Sequence, residues 1–243
     1  MDHTNNSCCC GEAEYFSGCL ICGAPITYRA ESSIQTCSIC HKEQLTNAVC
    51  ENGHFICDAC HSYGTYAPVI TTLRDSTEKD ALLLLEKNYG SSICTYAWTG
   101  ASCNCPCVLL TAFRNNGEHM DYDAALSEIC KRAKQVPGGT CGYWGVCGAA
   151  AGAGIFMSVM TGSSPLHKDA WPFPQKLVSI ILSRLADVGG PRCCKRTSRI
   201  AIEEAVHFYS QFCSVNIPLS SITCKYCEDN RECIQEDCPY YPE

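Results

Sequence analysis

Apolar residues recur at helical spacing in several stretches of the chain, and segments that contain glycine or proline separate these stretches. The pattern predicts helices at residues 75–89, 121–136, 148–160, 175–188 and 199–212. Asp75 or Ser76 is the predicted N-cap of the first helix, and Thr197 or Ser198 is that of the last. Short polar side chains favour this position because they accept hydrogen bonds from the first free N–H groups of a helix.

Strand-like sequence is short by comparison and is found at residues 25–29 and 44–49. Residues 94–107 combine several cysteines with Pro106, so we predict an irregular segment there. The helix predicted at 148–160 is rich in alanine and glycine, and such small residues let a neighbouring backbone approach closely. The predicted fold is therefore α+β. It has a mainly helical core, a small zinc-ribbon or treble-clef-like module at the N-terminus and a compact cysteine module at the C-terminus.

The amino-acid composition limits the classes of function that the chain can have. Of 243 residues, 24 are cysteine, and many of them stand two residues from another cysteine. That spacing lets two thiolates bind one soft metal ion from a single turn of backbone. The net charge of −7 argues against nucleic-acid binding, which needs a basic surface. The chain has no apolar run long enough for a membrane span.

The N-terminus is polar and lacks an apolar signal segment, which favours the cytoplasm, where thiols stay reduced. We predict four regions along the chain. They are a flexible cysteine-bearing tail at 1–18, a zinc-knuckle module at 19–70, a helical core at 71–220 and a module with four cysteines at 221–243.

The zinc-knuckle module carries ligands for two zinc ions, namely Cys19, Cys22, Cys37, Cys40, Cys50, His54, Cys57 and Cys60. In a cross-braced partition, one ion binds Cys37, Cys40, Cys57 and Cys60, and the other binds the remaining four. In a zinc ribbon, the first ion binds Cys19, Cys22, Cys37 and Cys40. The second ion then takes the last three cysteines and either His54 or His61. Both partitions give the four-coordinate sites that structural zinc requires.

The C-terminal module has four cysteines within a short segment, namely Cys224, Cys227, Cys233 and Cys238. Four thiolates suit a zinc ion or a [4Fe–4S] cluster. We favour the cluster because a cysteine followed by proline, here Cys238-Pro239, recurs in ferredoxin-type binding segments. Zinc is the alternative.

Two central segments combine glycines with cysteines, and they span residues 139–148 and 187–199. Their cysteines are Cys141, Cys147, Cys193 and Cys194. The second segment adds cationic side chains in a chain that is otherwise acidic, namely Arg192, Lys195, Arg196 and Arg199. Glycine lets the backbone approach a bulky cofactor. Positive charge beside a thiol lowers its pKa and favours metal ligation, and a helix start attracts anions.

The order of features over residues 139–206 resembles the cluster domain of iron–sulfur L-serine dehydratases and, more distantly, L-cysteine desulfidases. The shared features are Cys147 at the entry to a small-residue helix, then glycines with Pro191, then Cys193-x-x-Arg196 before another helix. The resemblance implies three cysteines that hold a [4Fe–4S] cluster, whose fourth iron binds the substrate as a Lewis acid.

The chain departs from that pattern at four positions. Val188 follows Asp187 where the related enzymes have proline, and Thr197 follows Arg196 where they have asparagine. Ala186 stands where the related enzymes have a cysteine, and Arg192 separates Pro191 from Cys193. A third ligand would therefore come from another thiol, namely Cys141, Cys194 or the group of Cys103, Cys105 and Cys107. The chain as a whole also resembles a cysteine-rich family of unknown function found in anaerobic archaea and bacteria.

These features together predict an iron–sulfur enzyme of sulfur or amino-acid metabolism. Cys147, Cys193 and one further thiolate would hold an open-site [4Fe–4S] cluster, and Arg192, Lys195 and Arg196 would bind the carboxylate of a small anionic substrate. His167 or Lys195 would move a proton. The reaction would be a carbon–oxygen or carbon–sulfur lyase or desulfidase step, or a sulfur transfer.

Two other functions stay open at this point. The chain could be a non-catalytic electron-transfer or cluster-carrier subunit that docks on a larger redox enzyme. It could instead be a zinc-scaffolded adaptor. The sequence also leaves a homo-oligomer open.

Overall fold

The structure is a computed structural model of the chain, which divides into two compact units, residues 1–60 and 61–243. It describes residues 19, 21–22, 24–38, 41–57, 60, 69–89, 101–137, 139–230 and 232–242. The tail predicted at 1–18 lies outside these ranges. Within them, no helix combines the length and the apolar character needed to cross a membrane.

The first unit is built on a two-stranded antiparallel sheet of β1 (Ile26–Thr36) and β2 (Glu43–Cys50). Both predicted strands are confirmed, and both are longer than predicted. Most side chains of β1 are exposed, and so small a sheet cannot supply a hydrophobic core by itself. The buried cluster of this unit is instead made of Cys37, Phe55 and Cys57.

The second unit is helical, and its described helices are α1 (residues 69–75), α2 (Ala81–Tyr89), α3 (Ala101–Asn115), α4 (Tyr122–Ala133), α5 (Thr140–Tyr143), α6 (Gly148–Met160), α7 (Pro172–Val188) and α8 (Cys194–Tyr209). A 3-10 turn follows at Gln235–Asp237. Helix α6 lies at the centre and packs against α3, α4, α7 and α8. The structure thus confirms an α+β fold with a mainly helical core.

The small residues of α6 let it approach α3 closely, as predicted. A Cβ atom built on Gly152 would lie 2.7 Å from the Ser102 carbonyl oxygen and 2.8 Å from Pro106 Cδ. Pro106 has no N–H group to donate to the Ser102 carbonyl one turn earlier. Gly152 therefore sits against the part of α3 where the helical hydrogen-bond ladder is interrupted.

The prediction of an irregular segment at 94–107 is wrong for residues 101–107, which form the first half of α3. Pro106 lies inside this helix and is fully buried there. The close packing of α6 stabilises a helical turn that the local sequence disfavours. Cys94 lies outside the described residues.

The predicted cap of α2 is also wrong, because Asp80 takes that role. Its Oδ1 accepts hydrogen bonds from the N–H groups of Leu82 and Leu83, both at 2.9 Å. Its Oδ2 accepts one from the Ser220 N–H at 2.6 Å. Residues 76–80 are not helical, and Asn115 donates from α3 to the Ser76 carbonyl at 3.0 Å. A tertiary contact therefore sets the start of α2.

Helix α8 begins at Cys194, so the predicted cap at Thr197 or Ser198 is wrong. Cys193 is the N-cap, with φ −139° and ψ 104°, and the Thr197 hydroxyl lies inside the helix, where it donates to the Cys194 carbonyl at 3.2 Å. Lys195, Arg196 and Arg199 thus belong to the helix and are buried, whereas Arg192 precedes the helix and is exposed. Arg199 is 1% exposed, and its Nε donates to Glu86 Oε1 at 2.8 Å.

The contact between α3 and α6 gives a stability prediction. We expect Gly152→Ala to lower the free energy of unfolding by about 1–2 kcal/mol, because the new methyl would overlap the backbone of α3. This cost exceeds the roughly 1 kcal/mol that alanine gains over glycine in a helix interior. Thermal unfolding followed by circular dichroism measures the change.

Gly148→Ala is the matched control in the same helix. A Cβ there would meet its nearest atom, Ser102 Cβ, at 3.7 Å, which is ordinary contact. Equal stability of the two variants would contradict the proposed close approach at Gly152.

Candidate metal centres

The first unit brings four potential ligands together around the end of its sheet, namely Cys19, Cys22, Cys50 and His54. Their ligand atoms all lie within 4.8 Å of one another. The Cys22 and Cys50 sulfurs are 3.4 Å apart, and His54 Nδ1 is 3.3 Å from Cys22 Sγ. Zinc–sulfur bonds of about 2.3 Å place tetrahedral sulfurs roughly 3.8 Å apart. The spacing therefore fits one zinc-sized ion.

Backbone N–H groups point at these sulfurs, as outer-shell donors do around bound metals. Ile21 donates to Cys19 Sγ at 3.4 Å, and Asn52 donates to Cys50 Sγ at 3.3 Å. Hydrogen bonds from the Ala24 backbone and the Asn52 side chain lower the pKa of Cys22 to about 6. The loop thus stabilises a thiolate, the form that binds metal.

A second group in this unit consists of Cys37, Cys57 and Cys60, whose sulfurs also lie within 4.8 Å of one another. The Cys57 N–H donates to Cys37 Sγ at 3.3 Å. Cys40 and His61 lie outside the described residues. The structure groups Cys37 with Cys57 and Cys60 rather than with Cys19 and Cys22, which is the grouping of the cross-braced partition.

The helical unit contains a third thiol group, formed by Cys103, Cys107 and Cys130. Cys103 and Cys107 are one helical turn apart and share a face of α3, whereas Cys105 points elsewhere. Hydrogen bonds from the thiols of Cys103 and Cys107 lower the pKa of Cys130, whereas hydrogen bonds within the group and burial raise the pKa values of Cys107 and Cys103. Cys130 was not among the ligands predicted from the sequence. A helical prediction for residues 101–107 would have placed Cys103 and Cys107 on one face of the helix.

A cavity of about 470 Å³ lies beside the central cysteines. Three cysteines from different elements line it: Cys141 of α5, Cys147 at the N-cap of α6 and Cys194 at the start of α8. Arg192 and Arg196 line it too. A cavity of this size accommodates a small ligand or a cofactor.

Glycine backbone forms much of this wall. Gly189 has φ 82°, a conformation that favours glycine, and a Cβ built on Gly142 or Gly190 would meet no atom within 4 Å. Burial raises the pKa of Cys194 to about 11, and nearby Arg192 opposes that shift. The charges of Cys147, Cys193 and Cys141 also act on Cys194. These thiols are thus electrostatic neighbours.

Arg196 fixes the loop that precedes α8. Its Nη2 donates to the carbonyls of Gly189 at 2.9 Å and Pro191 at 2.8 Å. Within the described chain, its buried Nε has no hydrogen-bond partner. Backbone carbonyls of the loop therefore hold the guanidinium, and its Nε is enclosed by protein.

The C-terminal cysteines line a second, narrow cavity, namely Cys224, Cys227, Cys233 and Cys238. Cys193, Lys195 and Arg199 line it from α8. The Cys224 N–H donates to the Tyr240 carbonyl at 2.7 Å, which closes the C-terminal segment into a compact loop. Lys195 Nζ lies 4.4 Å from the centroid of the Tyr226 ring.

Sulfur spacing distinguishes these two cavities from the other groups. Within the described chain, three groups of side chains have all their ligand atoms within 4.8 Å of one another. The cysteines that line the central cavity do not form such a group, and neither do those that line the C-terminal cavity. A single ion would draw the sulfurs together. A [4Fe–4S] cluster holds each thiolate on a different iron, and so keeps the sulfurs further apart.

The structure separates several residues that the sequence analysis placed in one site. Cys193 and Lys195 line the C-terminal cavity rather than the central one. His167 is exposed, its Nδ1 lies 2.9 Å from the Gly162 carbonyl, and it lines neither cavity.

The fold and these centres define a cysteine-rich protein with several candidate metal sites. The chain belongs to the family of unknown function DUF5714, whose family model matches residues 69–241. No curated protein and no solved structure matches the chain.

The first centre gives a metal-binding prediction. Loss of an outer-shell partner of a metal ligand weakens metal binding roughly 10–100-fold. Because His54→Ala removes a direct ligand, we expect it to weaken zinc binding by more than this. Competition with a chromogenic zinc chelator measures the affinity.

His41→Asn is the control in the same unit. His41 is exposed with φ 58°, which asparagine tolerates, and it belongs to no candidate ligand group of the described chain. An unchanged zinc affinity in His54→Ala would remove His54 from the ligand set.

Proposed function

We propose that the helical unit binds an open-site [4Fe–4S] cluster in the central cavity, with Cys141, Cys147 and Cys194 as ligands. The convergence of these three thiols on one cavity of about 470 Å³ carries this proposal. Three thiolates leave one iron without a protein ligand. Their sulfurs are not spaced for a single ion, and the glycine wall leaves room for a bulky group.

The cavity also fits a small anionic substrate. Arg192 and Arg196 border it, and a guanidinium binds a carboxylate with two parallel hydrogen bonds. Arg192 is exposed and so is accessible to such a substrate. When bound, the cluster supplies a Lewis-acidic iron for a hydroxyl, thiol or sulfide group of the substrate.

The reaction class we propose is a carbon–oxygen or carbon–sulfur lyase, a desulfidase or a sulfur transferase. The resemblance of residues 139–206 to the cluster domain of L-serine dehydratases and L-cysteine desulfidases supports this class. Neither of the bases predicted from the sequence, His167 and Lys195, lines the central cavity.

The C-terminal cavity favours a second function, electron transfer. Cys224, Cys227, Cys233 and Cys238 give four thiolates, which complete the ligation of a [4Fe–4S] cluster. Lys195 and Arg199 place positive charge beside them and would offset the negative charge of such a cluster. A fully ligated cluster suits an electron carrier that docks on a larger redox enzyme.

The N-terminal unit would be a zinc-bound scaffold. Its ligand groups are spaced for single ions, and its small sheet lacks an apolar core of its own. Structural zinc contributes folding free energy directly in such small units. Reduced thiols at every centre favour the cytoplasm as the compartment.

Iron analysis of variants tests the proposal. We expect anaerobically reconstituted protein to be brown and Cys194→Ala to lose about four irons per chain, because the central cluster loses one of three protein ligands. Cys238→Ala should lose a separate set of about four irons. Iron, sulfide and electron paramagnetic resonance measurements follow each loss.

Cys213→Ala is the control, since Cys213 is half-buried and lines neither cavity. Addition of L-serine or L-cysteine should change the spectrum of the wild type, and Arg192→Ala should weaken that response with the cluster retained. Colourless protein that contains only zinc would refute the cluster assignment and leave the adaptor function.

A further inference from the structure

The thiols of Cys103, Cys107 and Cys130 are not used by the function proposed above. We propose that they form a separate site for one soft metal ion, of the zinc or cuprous class, inside the helical core. The ligands come from two helices, α3 and α4, that pack against each other. This site does not depend on either iron–sulfur centre.

Distances support a single ion. The Cys103 and Cys107 sulfurs are 3.9 Å apart, and the Cys107 and Cys130 sulfurs are 4.0 Å apart. Three thiolates around one ion with bonds of about 2.3 Å lie roughly 3.8–4.0 Å apart, for tetrahedral or trigonal geometry. All three sulfurs lie within 4.8 Å of one another. The triangle already has the size that an ion requires.

The surroundings favour a thiolate-only site. Cys103 and Cys107 are 1% and 0% exposed, and Cys130 is half-buried. Thr111 holds the backbone beside Cys107, because its hydroxyl donates to the Cys107 carbonyl at 2.8 Å. Soft sulfur ligands select zinc or cuprous ions over harder cations.

Charge is compensated locally. Three thiolates around a divalent ion carry one net negative charge, and binding releases the thiol protons. Lys134, at the C-cap of α4, acts electrostatically on both Cys103 and Cys130. A cation at this position stabilises the metal-bound form over three neutral thiols. Free buried cysteines are common in cores, but the spacing of these three sulfurs is the spacing that one ion requires.

Metal content of the full chain tests the site. We expect Cys130→Ala to contain one zinc fewer per chain than the wild type when the protein is produced with zinc. Cys213→Ala should contain the wild-type amount. If the site binds a cuprous ion, protein produced with added copper under reducing conditions should contain less copper in Cys130→Ala than in the wild type. Equal zinc and copper in the wild type and Cys130→Ala would overturn the proposal.

A second measurement uses the wild type and so does not depend on the folding of a variant. Alkylation by iodoacetamide, mapped by mass spectrometry, should modify Cys130 at least about tenfold faster after zinc is removed by a chelator, because a metal-bound thiolate is protected. Cys213 is also half-buried and should react at one rate in both samples. A rate at Cys130 that does not respond to metal would refute the site.

Discussion

Both the central cavity and the C-terminal cavity depend on where α8 begins. Arg199 is buried and pairs with Glu86 of α2, and breaking such a pair is costly because it leaves an unpaired charge in the core. Arg196 binds two carbonyls of the preceding loop. These contacts fix where α8 begins, so that Cys193 lines one cavity and Cys194 lines the other.

The packing of α6 on α3 is the second organising feature. Gly152 allows the two backbones to approach, and α3 stays helical through Pro106. Because α3 is a helix there, Cys103 and Cys107 share a face while Cys105 is directed elsewhere. The cysteines of residues 103–107 therefore lie in different parts of the core.

The two units reach stability by different means. The helical unit buries a continuous apolar core that includes Phe113, Phe156 and Tyr209. The N-terminal unit has a small sheet, and its buried positions include cysteines of both ligand groups, such as Cys19 and Cys37. Metal ligation at these groups, as proposed above, would supply folding free energy where so little apolar surface is buried.

The sequence by itself determined the α+β class, the central small-residue helix and the identity of most thiols now found in groups, because apolar periodicity and ligand spacing are local properties. It did not determine where α2 and α8 begin. Asp80 is held by the Ser220 N–H, and α8 is held by the pairing of its Arg199 with Glu86 of α2. Only the tertiary structure decided that the Cys130 sulfur lies beside that of Cys107, and that Cys193 and Cys194 line different cavities. Helix packing brings distant sulfurs together, and the spacing of cysteines along the chain does not encode that packing.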